Sequence, residues 1–194
     1  MGDRIRSAVV RAAQLVVLPL IALCWVERVG FDAERCFAAC AELLSLAPGW
    51  PGSVLRTAFY AATLRQCAFR TYISFGTLIV HRDAALERDV YLGPYCIIGS
   101  VEIAAGTKIA SRVSVTSGRH QHGGGEAGSL DPEPRFERLS IGAQTWIGEG
   151  AIVMASVGRD SIVGAGSVVT RPMPDAVAVA GNPARPLCCA LDDA

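Results

Sequence analysis

The sequence predicts a mainly β protein built as a parallel β-helix, and three observations predict it. Aliphatic residues recur close to every sixth position: Leu86, Leu92, Ile98; Ile103, Ile109, Val115; Ile141, Ile147, Val153; Val157, Val163, Val169. Most are followed by a small residue, as at Gly93, Gly99, Ala104, Ala110, Gly142, Gly148, Gly158 and Gly164. Three places further on, compact side chains recur, among them Cys96, Thr107, Val113, Thr145, Ser161 and Ser167. A period of six fits neither the 3.6 of a helix nor the alternation of an ordinary strand. It fits a solenoid in which the aliphatic residue enters a narrow prism and the small one lets the corner turn. Three hexads make a triangular coil, so the four triplets make four coils, each adding about 4.8 Å. Val80 carries the register one step back, which puts the start of the β-helix between 73 and 80. The expected division is a helical, apolar extension over 1–72, the β-helix over 73–187 with a protruding loop at 117–139, and a tail at 188–194.

The extension begins with an apolar run from Ala12 to Val26, broken only by Gln14 and Pro19 and preceded by Arg4, Arg6 and Arg11. Such a run is shorter than the roughly 20 residues of a membrane-spanning helix. No A-x-A cleavage site follows it, which argues against an export signal. An interfacial or core-packing helix is expected, with residues 8–30 as the segment that would touch a membrane peripherally. Further helices are expected over Ala33–Leu46 and Ser53–Phe69, the latter with Leu55, Phe59, Ala62 and Phe69 on one face. Their bland role is a cap over the open end of the solenoid, whose backbone groups would otherwise be unpaired.

Composition narrows the function. The chain of 194 residues balances 18 basic against 18 acidic residues and has no arginine- or lysine-rich patch, so nucleic acid is not an expected partner. Its seven cysteines include no CxxC pair or metal-finger spacing, which suits a reducing, cytoplasmic setting. The hexads stop between Thr116 and Leu139, in a polar, glycine- and proline-rich stretch that holds His120 and His122, two of only three histidines. Solenoids eject insertions as loops, and loops carry function. A histidine near neutral pKa suits removal of a proton from a hydroxyl. Cys96, at an inward repeat position, reads as structural rather than nucleophilic.

Four segments carry a family resemblance: Ser117-Gly118-Arg119-His120-Gln121-His122, Trp146-Ile147-Gly148, Val163 to Arg171, and Ala180-Gly181-Asn182-Pro183-Ala184-Arg185-Pro186. Over residues 78–187 the chain resembles the left-handed β-helix hexapeptide acyltransferases of the maltose, galactoside and exopolysaccharide O-acetyltransferase type. The resemblance implies a homotrimer that binds acetyl-CoA or another acyl-CoA between subunits and transfers the acyl group directly to a sugar or polysaccharide-precursor hydroxyl. It assigns His120 as general base with His122 in reserve. It assigns CoA contacts to Trp146, Gly148, Ala165, Thr170, Arg171 and Arg185, and implies no metal. The apolar extension suggests an acceptor met at the inner membrane face. One departure from the family pattern is the four-residue step from Val153 to Val157, where relatives keep a full hexad; it leaves the acyl chain unassigned. Two other readings compete. A zinc hydratase of the γ-carbonic anhydrase type would use His81, His120 and His122, though the last two lie too close in sequence for the expected ligand spacing. A non-catalytic scaffold would use the solenoid only to present its apolar end.

Overall fold

The computed structural model describes residues 3–30, 34–117 and 137–187. Four helices precede the solenoid: α1 (Asp3–Val16), α2 (Leu18–Gly30), α3 (Arg35–Ser45) and α4 (Gly49–Thr63). The apolar run expected as one helix is two, bent by 70° at Val17. Pro19 is the cause: it lacks an N–H for the preceding turn and is tolerated only in the first turn of a new helix. The helix expected to reach Phe69 ends at Thr63, because Leu64 turns extended (ψ 166°) and the chain enters the first coil.

The rest is a left-handed parallel β-helix of three sheets. The first holds β1 (Gln66–Cys67), β4 (Ala85–Leu86), β7 (Val101–Ile103) and β10 (Leu139–Ile141), continued by single bridges through Val157 to Met173. The second holds β2 (Tyr72–Ile73), β5 (Tyr91–Leu92), β8 (Lys108–Ile109), β11 (Trp146–Ile147), β13 (Ile162–Val163) and β15 (Ala178–Gly181). The third holds β3 (Leu78–Ile79), β6 (Ile97–Ile98), β9 (Ser114–Val115), β12 (Ile152–Val153) and β14 (Val168–Val169). The chain makes five coils and part of a sixth, beginning at Gln66, where four coils beginning between 73 and 80 were expected. Ile79, not Val80, enters the core: Ile79 is 1% exposed and Val80 42%. Seven residues separate Ile79 from Leu86, and that stretched step hides the first coil from a six-residue count.

Inward residues stack directly upon one another from coil to coil. Ile73, Leu92, Ile109, Ile147, Val163 and Val179 form one buried column, and Ile79, Ile98, Val115, Val153 and Val169 another. Each fully buried aliphatic contributes about 1.5–3 kcal/mol of hydrophobic stabilisation. Steps from first to second sheet and from second to third are always six residues, as in Leu86–Leu92–Ile98 and Ile141–Ile147–Val153. These corners turn through residues with φ between 53° and 74°, among them Asp89, Gly106 and Gln144 before the second sheet and Gly76, Tyr95 and Arg112 before the third. Every irregular step falls at the third corner, where the chain returns from third sheet to first: seven residues after Ile79, five after Ile98, the insertion after Val115, four after Val153 and four after Val169.

The small residues after each aliphatic do not supply the turning backbone. Gly148 has no positive φ, but a Cβ on it would lie 2.5 Å from the backbone nitrogen of Ala165 in the next coil. Close approach of stacked coils demands the missing side chain there. Buried hydroxyls tie the coils from inside: Thr77 Oγ1 donates to Gly93 O (2.5 Å), Thr107 to Gly142 O (2.9 Å) and Thr145 to Gly158 O (2.8 Å). Cys96 occupies an equivalent position, its Sγ 3.0 Å from Ala110 O, and burial pushes its thiol pKa up. It is a structural cysteine.

Side chains of the helices satisfy the open edge of the first coil. Arg6 donates to Phe69 O and Thr71 O, Thr57 to Thr71 O, and the Tyr60 hydroxyl accepts from the Ile79 N–H. Arg56, 1% exposed, donates Nε to Ile73 O and Nη1 to Leu44 O and Ala47 O (3.0, 2.9 and 2.7 Å). At the far end β16 (Ala184–Pro186) folds back antiparallel on β15 through a cis Asn182–Pro183 bond. Replacing Arg56 with Leu would leave buried carbonyls unpaired, so R56L is expected to lose at least about 2 kcal/mol in urea unfolding. A shift in stability below about 0.5 kcal/mol would show that water replaces the guanidinium there.

Candidate functional site

The third corner has room for a site. A groove of about 330 Å³ runs over the third sheet there, lined by Val80, His81, Ile97, Ser114, Thr116 and Ser117 among others. Ile97 and Ser114 open β6 and β9, and Val80–His81 and Thr116–Ser117 follow β3 and β9, so the lining comes from parallel coils stacked about 4.8 Å apart. Gly99 keeps the wall thin: a Cβ on it would come within 2.6 Å of Ser117 Oγ. Ser117 Oγ accepts from the Ser100 N–H (2.8 Å), and the Ser117 carbonyl accepts from the Glu137 N–H (2.9 Å), closing the neck of the insertion. The chain is back in a strand by Leu139, inside the expected loop of 117–139. His120 and His122 lie outside the described residues.

His81 sits in the first of the irregular steps, with its side chain 23% exposed. Its Nδ1 is 3.3 Å from Glu34 Oε2, and Glu34 Oε1 accepts from the Arg82 N–H at 3.1 Å. The next side chain anchors this arrangement. Arg82 pairs with the buried carboxylate of Glu27, donates to Cys24 O (3.0 Å) and lies 5.1 Å from the Phe37 ring centroid. Glu27 in turn accepts from the N–H groups of Cys36 and Phe37 in the first turn of α3, where a negative charge suits the helix end. The helical cap thus holds the corner that carries His81.

Hydrogen bonding to Glu34 raises the His81 pKa, against the opposing effect of burial, and the charges of Glu34 and Asp83 add to the rise. Burial would raise the Glu34 pKa, but the hydrogen bonds and charges of His81 and Arg82 outweigh it and lower the value. The sequence offered His81 only as a third zinc ligand; Glu34, 47 positions away, gave no sign of being its partner. Among the described residues no group of three His, Cys, Asp or Glu side chains is arranged to hold a metal.

The residues expected to meet CoA are spread over two corners, a sheet face and the terminal hairpin. Gly148 and Ala165 lie against each other where the second sheet turns into the third. Gly148 spends its N–H on Val163 O (2.7 Å) and its carbonyl on the Ala151 N–H (3.3 Å), so its distinctive contribution is a bare Cα. Trp146, 44% exposed, stands outward on the second sheet between Lys108 and Ile162. Thr170 and the exposed Arg171 follow β14 at the third corner, on the same edge as the groove. Arg185 is exposed in the terminal hairpin, opposite Ala180.

No family model matches the chain. It is 41% identical over 120 residues to the galactoside O-acetyltransferase of Lactococcus lactis, covering 58% of this chain and 54% of that protein. The chain spans about half the length of that curated relative. A maltose O-acetyltransferase from Clostridium difficile superposes with a TM-score of 0.55 at 20% identity, over 79% of this chain and 84% of the other. An N-acyltransferase from Bacillus cereus, solved with dTDP-4-amino-4,6-dideoxyglucose and coenzyme A, does so with 0.50 at 17% identity, over 60% and 68%. The fold defines the class, a left-handed β-helix of hexapeptide type. Within it, repeat and sequence likeness are those of the hexapeptide-repeat acetyltransferase family.

The His81–Glu34 pair has a signature of its own. Glu34→Gln is expected to lower the His81 pKa, read by NMR titration of its ring protons; an unmoved value would mean that the pair is not formed. The raised His81 pKa gives stability that is full below its ordinary value of 6.5 and fades as pH rises through the folded value. Glu34's share is full above its ordinary 4.5 and fades as pH falls through its lowered one, so the pair stabilises most between 4.5 and 6.5.

Proposed function

We propose that the chain is an O-acyltransferase that moves an acyl group, acetyl first among the candidates, from acyl-CoA to a hydroxyl of a sugar or polysaccharide precursor. One observation carries the reading: Ser117, the last described residue before the segment with His120 and His122, lines the groove at the third corner. The named activity of the Lactococcus lactis relative, and the coenzyme A and sugar nucleotide in the Bacillus cereus neighbour, support donor and acceptor classes.

In this reading His120 takes the proton of the acceptor hydroxyl as its oxygen attacks the thioester carbonyl. The tetrahedral oxyanion collapses with cleavage of the C–S bond, and the thiolate leaves with the proton that His120 received. His122 is the alternative base. Arg171 and Arg185 are the cations for CoA phosphates, Thr170 a hydrogen-bonding neighbour and Trp146 a wall. Gly148 with Ala165 keeps the coils close enough for the pantetheine arm to lie along them.

A homotrimer suits the outward columns. Tyr91, Trp146 and Ile162 on the second sheet and Ile97 and Ile152 on the third are apolar and 37–52% exposed, whereas the first sheet turns out Gln66, Glu102, Ser140 and Ser156. The helical cap suits an anionic membrane face in the cytoplasm, where acyl-CoA is met. Among the described residues no single helix is long and apolar enough to cross a membrane. Yet α2 exposes Leu18, Leu23, Trp25, Val26 and Val29, and among the described side chains the exposed charges of the cap are Arg4, Arg11, Arg28 and Arg35 against Glu42.

Calorimetry with acetyl-CoA is expected to give saturable binding near one site per chain, and its absence in folded protein would remove the donor. His120→Ala is expected to cut turnover by about 10²-fold or more with acetyl-CoA affinity retained; turnover near wild type would remove His120 as base. Vesicles containing phosphatidylserine should co-float the protein, and the double variant W25S/V29S should lose most of that binding. Equal flotation of both proteins would assign the apolar face to another partner.

A further inference from the structure

The outer helices of the cap are turned inside out. On α1 polar side chains reach inward: Arg6 donates to Phe69 O and Thr71 O, and Gln14 Nε2 to Ala58 O (3.3 Å). On α2 the charged Glu27 is buried, while Leu23, Val26 and Val29 stand outward beside Ile5, Leu15 and Val16 of α1. We infer that the acceptor is a glycan carried on a membrane lipid, and that the outward face of α1 and α2, lying in the lipid interface, holds the third corner within its reach. The inference rests on the acyl-transfer reading and names how the acceptor of that reaction is presented.

Three observations select lipid as the occupant of this face. A helix against water turns its polar side chains out, and here two successive helices reverse that polarity. Trp25, 61% exposed, directs Nε1 to Ala62 O (3.4 Å), so its one donor is satisfied within the protein and the open part of the indole is carbon. Such an amphipathic ring belongs at the boundary between hydrocarbon and headgroups. The exposed charges among the described side chains of α1 and α2 are Arg4, Arg11 and Arg28. Arg4 and Arg11, two helical turns apart, share a side of α1 with Ala8 and Leu15, so their stems run beside the apolar stripe while their heads meet lipid phosphates. Both helices pack on α4 across a bend of 70°, which spreads the face over a surface instead of aligning it for a span.

The cap brings this face close to the candidate site. Arg82 follows His81 at the first step of the third corner, and its guanidinium reaches the inner side of α2 at Cys24 O (3.0 Å) and Glu27. Trp25 and Val26, next in sequence to the buried Cys24, stand on the other side. The lipid face is therefore one helix away from the corner, about 10–12 Å. Ser117, where the insertion is rooted, lies two coils beyond, about 10 Å further. Protein bound at this face meets an acceptor on the same surface at an effective concentration that a free sugar does not reach.

The test presents one sugar in two forms. Glucose, galactose and mannose are each offered as the methyl glycoside in solution and as the glycosyl diacylglycerol in vesicles of phosphatidylserine and phosphatidylcholine. Acetyl-CoA is the donor and thiol release the rate. Wild-type protein is expected to show kcat/KM at least about 10²-fold higher on the preferred sugar when it is lipid-borne. The double variant V26S/V29S, at two positions 69% and 91% exposed, is expected to lose at least about tenfold of that advantage, with methyl-glycoside rates, melting temperature and acetyl-CoA affinity unchanged. Equal kcat/KM on the two forms, or an advantage that V26S/V29S keeps, would overturn the inference while acyl transfer stands. So would acetyl-CoA binding with none of the lipid-borne sugars acetylated. Wild-type protein that does not float with these vesicles would overturn it as well and leave the face to a protein partner. Failure to bind acetyl-CoA at all would strike the acyl-transfer reading, and the inference with it.

Discussion

Vertical stacking of inward side chains governs this molecule. Ile147 can lie over Ile109 and under Val163 only if each coil returns to the same azimuth, and two corners achieve this with an invariant six-residue step and a left-handed residue at the turn. A residue added there would turn a core aliphatic outward, with the loss of about 1.5–3 kcal/mol for each displaced side chain. Length variation is therefore expelled to the third corner, where the chain leaves one sheet and has only to re-enter the next in register. The seven-residue step with His81, the insertion with His120 and the four-residue steps after Val153 and Val169 all share that edge. The candidate site lies on the edge whose length the core does not fix.

The same economy explains the helices. A parallel coil exposes a row of backbone groups at its end, a standing invitation to pairing with another chain. Here Arg6, Arg56, Thr57 and Tyr60 meet those groups from the helical side, with Arg56 bridging the first coil to the α3–α4 turn. A buried arginine with only backbone carbonyls as partners gives up much hydration, and burial lowers its pKa. Its geometric fan of donors is what recommends it: one flat group serves carbonyls from two directions, which lysine could not do. Because the cap is fastened to the coil in this way, Glu27 and Glu34 arrive at the third corner in fixed positions.

Most of the architecture was legible because the repeat is written in local spacing. From Leu86 onward the inward residues, the insertion and the short Val153–Val157 step can be counted directly. Legibility failed where a local pattern had two readings. Val80 keeps the six-residue distance from Leu86 while Ile79 keeps the core, and only the neighbouring coil decides between them. Leu55, Phe59 and Phe69 look like one helical face because a helix and a short-stranded coil both place apolar residues three to six apart. The small residues were read as turn formers when the turns use Asp89, Tyr95, Arg112 and Gln144, polar or aromatic side chains that a sequence reading would not choose for positive φ.

The candidate site is written in the sequence unevenly, for a different reason. A histidine in an insertion announces itself by the break in period, so His120 and His122 stand out. His81 lies inside an apparently regular run and gains its partner only when the cap folds over the first coil, a contact between segments that share no periodicity. Stacking then joins what the sequence keeps apart: His81, Ser117 and Arg171 belong to coils one, three and five, yet all follow third-sheet strands and so fall on one edge, spread over about 19 Å at 4.8 Å per coil. The order along the axis, His81, the root of the insertion at Ser117 and then Arg171, follows from the coil count alone.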